Sequence, residues 1–221
     1  MSAHVARVAA QAKLNLGLRV LARERGGYHE IETLFARIAL ADVVTVRPQD
    51  EERTLVVHGA DVGPAEQNLA YRAAVAYGDA TGWPRGFAID IEKKIPVGGG
   101  FGGGSADAGG VLRALNALAP EPASGAELLR IAITLGADVP YLITTEPFAL
   151  AWGRGERMLA LPALPGRAVL LVLPGFPIET AAAYAWLAAS RPADLPSPRM
   201  VSVAELTSWE TLQPHVVNDY E

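Results

Sequence analysis

The spacing of apolar residues predicts strands in the first part of the chain. Residues 5–20 alternate apolar and polar side chains and end in LNLGLRV, which is the pattern of a half-buried strand. Runs rich in β-branched and aromatic residues predict further strands. These runs are IETLFARIAL, ADVVTVRP, TLVVHGADV and GFAIDIEKKI.

Helical spacing of apolar residues is found at 66–80 and again after a glycine-rich stretch. In SADAGGVLRALNALA, the apolar side chains at 108, 111, 112 and 115 share one helix face. AELLRIAITLG predicts a second helix that ends at Gly136, because glycine commonly terminates helices. Beyond it, PFALAWG and AVLLVLP predict strands, whereas ETAAAYAWLAAS and SVAELTSWE predict short helices.

The mixed order of these elements, with much antiparallel character early in the chain, indicates an α+β fold. A proline-rich loop at 162–165 is the best candidate for a domain boundary. We therefore predict an N-terminal domain at 1–162 and a smaller second domain at 163–221.

Composition narrows the possible function classes. Hydrophobic residues make up 50% of the 221 residues and charged residues 19%, which is typical of a globular protein. A net charge of −5 gives no reason to expect nucleic acid or an anionic membrane as a partner. The lack of cysteine excludes disulfides, thiolate zinc sites and a cysteine nucleophile. Because no signal peptide or membrane-spanning stretch is evident, we expect a soluble cytoplasmic protein.

The candidate chemistry lies in IPVGGGFGGGSADAGG at 95–110, between a predicted strand and a predicted helix. A helix start offers unpaired backbone N–H groups and a partial positive charge. Glycines let a phosphate lie directly on those N–H groups, and Ser105 adds a hydroxyl. The alternative is that the glycines only allow a tight turn or a close helix contact.

The commonest phosphate-binding motifs do not fit this stretch. Gly98, Gly100 and Gly103 match GxGxxG, but a dinucleotide-binding fold needs an acidic residue at a strand end about 20 residues later. Here Glu121 lies between prolines instead. A P-loop needs a lysine where this chain has Gly-Gly-Ser, and the HRD and DFG motifs of protein kinases do not occur.

The loop PVGGGFGGGSADA instead resembles the Pro-x-Gly-Gly-Gly-x-Gly-Gly-Gly-Ser-Ser loop of the GHMP small-molecule kinases. Four other motifs are similar, in the same order, to the family of 4-diphosphocytidyl-2-C-methyl-D-erythritol kinases of the non-mevalonate isoprenoid route. These motifs are AKLNLGL at 12–18, GGYHEIETLF at 26–35, NLAYRAA at 68–74 and LGADVPYLI at 135–143.

The resemblance implies a two-domain α+β GHMP kinase architecture. Its N-terminal domain would resemble domain 2 of ribosomal protein S5, and its C-terminal domain would be an incomplete ferredoxin-like one. It also implies ATP-dependent phosphorylation of a hydroxyl of a cytidine diphosphate-linked small molecule. Mg²⁺ is expected to arrive with ATP, without a dedicated protein metal site. A monomer or weak homodimer is expected.

Lys13 and Asp138 are the candidate catalytic residues. Asp138 follows a predicted helix end, where a carboxylate can accept a hydroxyl proton, although surface or capping aspartates are common in such places. Lys13 and Asn15, two residues apart, share one strand face and could face one ligand, or only solvent. The resemblance implies that Lys13 pairs with Asp138 and holds the reacting oxygen and phosphoryl group, while Asn15 contacts the substrate.

Further site residues are implied by the resemblance. Asn68 and Lys93 would reach the adenine side of ATP, and Tyr28 and His29 would receive the cytosine by stacking and hydrogen bonding. Thr180 and Tyr184 would add substrate contacts from the second domain. The residues implied for the phosphate-binding loop are Pro96, Val97, Gly98, Gly99, Gly100, Phe101, Gly102, Gly103, Gly104, Ser105 and Ala106.

The sequence also departs from the family. Ser105 is followed by Ala106 and then Asp107, whose carboxylate we predict to point away from a phosphate. The family continues past an Asn-Asp-x-Glu motif, similar to VVNDYE here, to a third glycine-rich motif that this sequence lacks. A fragment or an incompletely recorded chain is the interpretation we favour. The alternatives are a kinase of the homoserine or mevalonate type, and a nucleotide-binding protein without catalysis.

Overall fold

The computed structural model describes residues 5–23, 29–153, 155–173 and 201–220, with isolated positions between 182 and 189. Its strands are β1 (Ala6–Arg23), β2 (His29–Gln49), β3 (Arg53–His58), β4 (Gly86–Glu92), β5 (Phe148–Gly153) and β6 (Arg157–Ala160). Its α-helices are α1 (Leu69–Thr81), α2 (Gly103–Leu118), α3 (Gly125–Leu135), α4 (Val139–Leu142) and α5 (Trp209–Leu212). Short 3₁₀ helices cover Ala65–Gln67, Val203–Leu206 and Gln213–His215. The α+β class predicted from the sequence is confirmed.

Contacts group the chain into two compact units. Unit 1 comprises Met1–Leu14 and Arg37–Thr145, and unit 2 comprises Asn15–Ala36 and Glu146–Glu221. The long strands β1 and β2 therefore contribute residues to both units. The predicted domains at 1–162 and 163–221 stay a prediction.

Unit 1 combines strands with a group of packed helices. β4 pairs antiparallel with residues 43–49 of β2 and parallel with β3. Phe87, Ile89 and Ile91 are buried at every second position of β4, because successive side chains of a strand point to opposite faces of the sheet. The helix α1 packs against α2 and α3, and α2 packs against α4.

The ends of these helices follow from their capping residues. Asn68 starts α1 by accepting a hydrogen bond from the Ala70 N–H at 2.9 Å. Ser124 and Glu127 form a reciprocal capping box at the start of α3. Gly136 ends α3, as the sequence predicted.

Unit 2 is built on another part of β2. Residues 31–36 pair antiparallel with β5, which pairs antiparallel with β6. The core of this unit contains an apolar cluster of Leu34, Phe148, Leu161, Leu206 and Leu212. The segment at 217–219 is bound to β1, because the Leu18 N–H donates to the Val217 carbonyl and the Val20 N–H donates to Asp219 Oδ2, both at 2.8 Å.

Two sequence predictions are corrected by the structure. IETLFARIAL and ADVVTVRP form one continuous strand, β2, rather than two. The predicted strand AVLLVLP is wrong at 168–173, which has no regular secondary structure. A strand needs a hydrogen-bonding partner, and no partner strand pairs with 168–173 within the described ranges, so Leu170 remains 88% exposed. The helix predicted for ETAAAYAWLAAS lies largely outside the described residues. SVAELTSWE contains the predicted short helical turns.

None of the helices described is long and apolar enough to cross a membrane.

The contact between α2 and α4 predicts an unfavourable glycine substitution. A Cβ atom at Gly109 would lie 2.6 Å from the Leu142 carbonyl oxygen, in the interior of unit 1. We expect Gly109→Ala to lower the free energy of unfolding by about 1–3 kcal/mol, even though alanine is the better helix former. Denaturant unfolding measures this change.

Gly125→Ala is the matched control, because it also lies in a helix but a Cβ there meets no atom within 4 Å. We expect it to leave stability unchanged or to raise it by up to about 1 kcal/mol. Equal stability of the two variants would contradict the close packing of α2 on α4.

Candidate active site

Residues 96–102 form a tight turn, here called the glycine turn, between the end of β4 and the start of α2. Gly98, Gly100 and Gly102 have φ angles of 75°, 75° and 70°. Glycine adopts this left-handed region with the least strain, which explains the glycines at 98, 100 and 102. The predicted order of strand, glycine loop and helix is confirmed.

One side of the glycine turn is open. A Cβ atom at Gly98 or Gly100 would meet no atom within 4 Å. The first turn of α2, formed by Gly103, Gly104 and Ser105, carries backbone N–H groups that have no partner within their own helix. An anion on the side of Gly98 and Gly100 would meet no side chain from these two residues, and helix N–H groups of this kind favour negative charge.

Lys13 and Asp138 form an ion pair in unit 1. Lys13 Nζ lies 3.3 Å from Asp138 Oδ2, and the two side chains are 7% and 29% exposed. Lys13 therefore does not belong to a solvated strand face, which was one of the alternatives. Asp138 precedes α4 but its side chain makes no capping hydrogen bond, so the capping alternative does not describe it either.

The ion pair lies directly against the glycine turn. The Lys13 N–H donates to the Phe101 carbonyl at 3.0 Å, which ties β1 to the turn. A Cβ atom at Gly102 would lie 3.0 Å from Lys13 Cε and 3.5 Å from Asp138 Oδ2. The structure thus brings Lys13, Asp138 and the glycine turn together, although they are far apart in sequence.

Asp138 is held by the elements on either side of it. The helix α3 ends just before it, and the Val139 N–H donates to the Gly136 carbonyl at 3.2 Å. The Arg37 guanidinium donates to the carbonyls of Tyr141 and Thr144 at 3.2 and 3.0 Å. These two hydrogen bonds tie β2 to the end of α4 and so hold the segment that follows Asp138.

A buried charged cluster lies beneath the start of α2. Lys93 Nζ contacts Asp42 Oδ2 and lies 2.8 Å from Asp107 Oδ2. Burial alone lowers the pKa of Lys93, but the two carboxylates outweigh it and raise that pKa above its ordinary value. Burial raises the pKa of Asp107 to about 7, although Lys93 opposes this shift.

Sequence reasoning missed Asp42. Its signal was a single aspartate inside the apolar run IALADVVTV, where a charge needs a buried partner.

Asp107 points into the interior toward Lys93. The Lys93 ammonium group is held by two carboxylates. The predicted contact of Lys93 with the adenine side of ATP stays a prediction.

The other predicted site residues are only partly described. Asn68 caps α1, and the neighbouring Leu69 side chain lies beside Gly104. In unit 2, the Asn15 amide donates to Thr33 Oγ1 at 2.7 Å. Tyr28, Thr180 and Tyr184 and the side chain of His29 lie outside the described residues. Within the described ranges, no group of three or more His, Asp or Glu side chains could hold a metal ion.

Comparisons with known proteins agree with this geometry. The family of GHMP kinases N terminal domains matches residues 68–145, which include the glycine turn and Asp138. A 4-(cytidine 5'-diphospho)-2C-methyl-D-erythritol kinase of known crystal structure is 39% identical in sequence to this chain. The structural match has a TM-score of 0.69 and covers 95% of this chain and 76% of that one. The chain belongs to the 4-diphosphocytidyl-2-C-methyl-D-erythritol kinase family of GHMP kinases.

Curated members of this kinase family are similar over most of the chain. The kinase of Symbiobacterium thermophilum is 42% identical over 79% of this chain and 62% of its own length. The kinase of Thermus thermophilus is 46% identical over 79% of this chain and 60% of its own length. The chain thus spans about three fifths of these family members. A homoserine kinase from Cytophaga hutchinsonii, 18% identical with a TM-score of 0.57, shares the fold.

The raised pKa of Asp107 predicts a pH dependence of stability. The folded chain binds a proton at Asp107 more tightly than the unfolded chain, where the pKa is near its ordinary value of 3.8. The contribution of Asp107 to stability is therefore full below about pH 4 and is lost as the pH rises through about 7. Asp107→Asn mimics the protonated side chain and escapes this loss.

Between about pH 5 and pH 8, the parent chain should lose stability that Asp107→Asn keeps. The difference in the free energy of unfolding, Asp107→Asn minus parent, should therefore increase with pH. The expected rise is on the order of 1 kcal/mol or more. Urea unfolding at several pH values measures it, with Asp79→Asn, an exposed aspartate, as the control. A constant difference across this range would show that Asp107 stays ionised.

Proposed function

We propose that this chain carries the phosphotransfer site of an ATP-dependent kinase. The hydroxyl acceptor would be 4-diphosphocytidyl-2-C-methyl-D-erythritol, in the non-mevalonate route to isoprenoid precursors. The observation that carries the proposal is the Lys13–Asp138 ion pair packed against Gly102 of an open glycine turn. Membership of the kinase family supports the choice of substrate.

The glycine turn and the start of α2 would bind the phosphates of ATP. Backbone N–H groups and the helix dipole favour negative charge at this position. Because Gly98 and Gly100 have open space where a Cβ would be, the phosphates could contact the main chain directly. Adenine contacts from Asn68 and Lys93 belong to this proposal.

Asp138 and Lys13 would divide the chemistry between them. The Asp138 carboxylate accepts the proton of the substrate hydroxyl. The hydroxyl oxygen forms a bond to the γ-phosphorus of ATP, while the bond between that phosphorus and the leaving ADP oxygen breaks. The Lys13 ammonium holds the attacking oxygen and the negative phosphoryl oxygens, and it keeps the Asp138 carboxylate in position at 3.3 Å.

Mg²⁺ belongs to the proposal as the ion that accompanies ATP. When bound, it neutralises charge on the phosphate oxygens. The phosphates themselves supply most of its ligands, so few protein ligands are needed. The Asp138 carboxylate, partly exposed beside the glycine turn, is an oxygen ligand of the kind that Mg²⁺ accepts.

The substrate side of the site would use Asn15, Tyr28, His29, Thr180 and Tyr184. Asn15 is fixed by its hydrogen bond to Thr33, which in turn donates to the Gly17 carbonyl at 2.8 Å. Tyr28 and His29 would stack on the cytosine and bind its polar edge. Thr180 and Tyr184 would add contacts to the rest of the substrate.

The central test replaces Asp138. Asp138→Asn keeps the shape of the side chain but cannot accept the proton, so we expect turnover to fall by at least about 100-fold. ATP binding should persist, because the glycine turn is unchanged. The measurement is formation of ADP and of a new phosphomonoester from ATP, Mg²⁺ and the diphosphocytidyl substrate.

Asp90→Asn is the control, because Asp90 also forms an ion pair, with His58 at 3.0 Å, but lies on the exposed side of β4. It should keep the activity of the parent chain. Full activity of Asp138→Asn would contradict the assigned base. ATP binding by the parent chain without turnover of this substrate would favour a nucleotide-binding protein without catalysis.

A second test separates backbone strain from contact with the ion pair. Gly102→Ala and Gly100→Ala impose similar strain, since both residues have a positive φ near 70–75°. Only the Cβ at position 102 meets Lys13 and Asp138. We therefore expect kcat to be lower in Gly102→Ala than in Gly100→Ala by about tenfold, while the KM for ATP rises in both.

Steady-state kinetics at saturating substrate give this comparison. The same kcat in both variants would mean that the contact between Gly102 and the ion pair does not affect the chemical step.

A further inference from the structure

The cluster of Asp42, Lys93 and Asp107 is almost fully buried, with side-chain exposures of 0%, 5% and 3%. Burying three charged groups costs free energy that ion pairing only partly returns. Apolar residues of similar volume often stabilise a core as well or better. The contacts that the cluster makes on either side of the glycine turn bear on its role.

Asp42 holds the chain where it enters the glycine turn. Its Oδ1 atom accepts hydrogen bonds from the backbone N–H groups of Lys94 and Ile95, the latter at 2.8 Å. These two residues follow β4 and directly precede the turn at 96–102. Asp42 is fixed in turn by its place in β2, whose residues 43–49 pair with β4.

Asp107 holds the chain where it leaves the turn. It lies in the second turn of α2 and meets Lys93 Nζ through Oδ2, while its Oδ1 has no hydrogen-bond partner in the described structure. Its ion pair is with Lys93, and the nearby Asp42 carboxylate adds to the rise that burial causes in the pKa of Asp107. The same ammonium group would lie 3.3 Å from a Cβ at Gly103, the first residue of α2.

The geometry points to a positioning role for these three residues, which we call the Asp42–Lys93–Asp107 clamp. By joining the entry and the exit of the glycine turn through one ammonium group, the clamp sets the separation of the end of β4 and the start of α2. That separation fixes how the backbone N–H groups of the turn and helix face a phosphate. This inference rests on the proposed function, because it assigns the turn to phosphate binding.

Asp107 links the Lys93 ammonium group to the start of α2. A cation near the first turn of a helix is repelled by the helix dipole. The Asp107 carboxylate, in the same helix, offsets that repulsion and pulls the helix start toward Lys93. Removing Asp107 therefore releases the exit of the turn, while Asp42 and Lys93 stay paired at its entry.

The experiment compares Asp107→Ala and Asp107→Asn with the parent chain. Titration calorimetry gives the affinities for ATP, GTP and inorganic tripolyphosphate, and hydrogen exchange gives the protection of amides 94–104 without nucleotide. We expect Asp107→Ala to weaken all three ligands by a similar factor of about ten, and to speed exchange across the turn. Asp107→Asn should recover most of the affinity, because its amide oxygen still accepts from Lys93.

Glu92→Gln is the matched control. Glu92 is adjacent to Lys93 in the chain but pairs with Arg7 on the exposed face at 2.9 Å. We expect parent-like affinities and exchange in this variant. Thermal melting of every variant identifies a temperature at which each is folded, so that a loss of stability is not mistaken for a loss of binding.

Three outcomes would overturn the clamp. One is parent-like affinity and exchange in Asp107→Ala, and another is equal losses in Asp107→Ala and Asp107→Asn. The third is weaker binding of ATP with unchanged binding of tripolyphosphate, which would place the effect at the base. If the parent chain binds none of the three ligands, the proposed function fails. In that case, the comparison of hydrogen exchange at amides 94–104 between parent and variants is what tests whether the clamp holds the backbone.

Discussion

The site depends on Gly102, where the backbone lies within contact distance of an ion pair. At Gly102 the main chain lies so close to the Lys13–Asp138 ion pair that even a Cβ atom would be 3.0 Å from Lys13 Cε. The positive φ of Gly102 favours glycine, and the absence of a side chain there allows the close approach. They let the start of a helix, with its exposed N–H groups, approach an acid and an amine to within contact.

Charge is arranged in two layers around the glycine turn. The partly exposed Lys13–Asp138 pair lies against the turn, whereas Asp42, Lys93 and Asp107 lie beneath it in the interior. The exposed pair can exchange partners with a ligand, because one of its members meets solvent. The buried cluster cannot do so without a large desolvation cost, so it is suited to holding the backbone.

Local patterns predicted the parts of this chain that depend on local physics. The glycine turn follows from backbone preferences, and α2 and α3 follow from helical spacing, both visible within a few residues. Lys13 and Asp138 were selected with the help of family motifs, since the 125 positions that separate them give no local signal.

Features that depend on distant partners were missed. Asp42 was not found because its role exists only once β2 lies beside the start of the turn. AVLLVLP was assigned as a strand from its run of apolar residues, but a strand forms only where another strand offers hydrogen bonds. The grouping of 15–36 with residues after 146 likewise follows from long-range pairing between β2 and β5.

The attachment of residues 217–219 to β1 has a consequence for biosynthesis. Val20 and Asp219, joined by a hydrogen bond, are 199 residues apart. At ribosomal speeds of about 5–20 residues per second, roughly 10–40 s pass between the synthesis of the two. During that interval Leu18 and Val20 lack these partners, and an unpaired strand edge is a place where chains can aggregate.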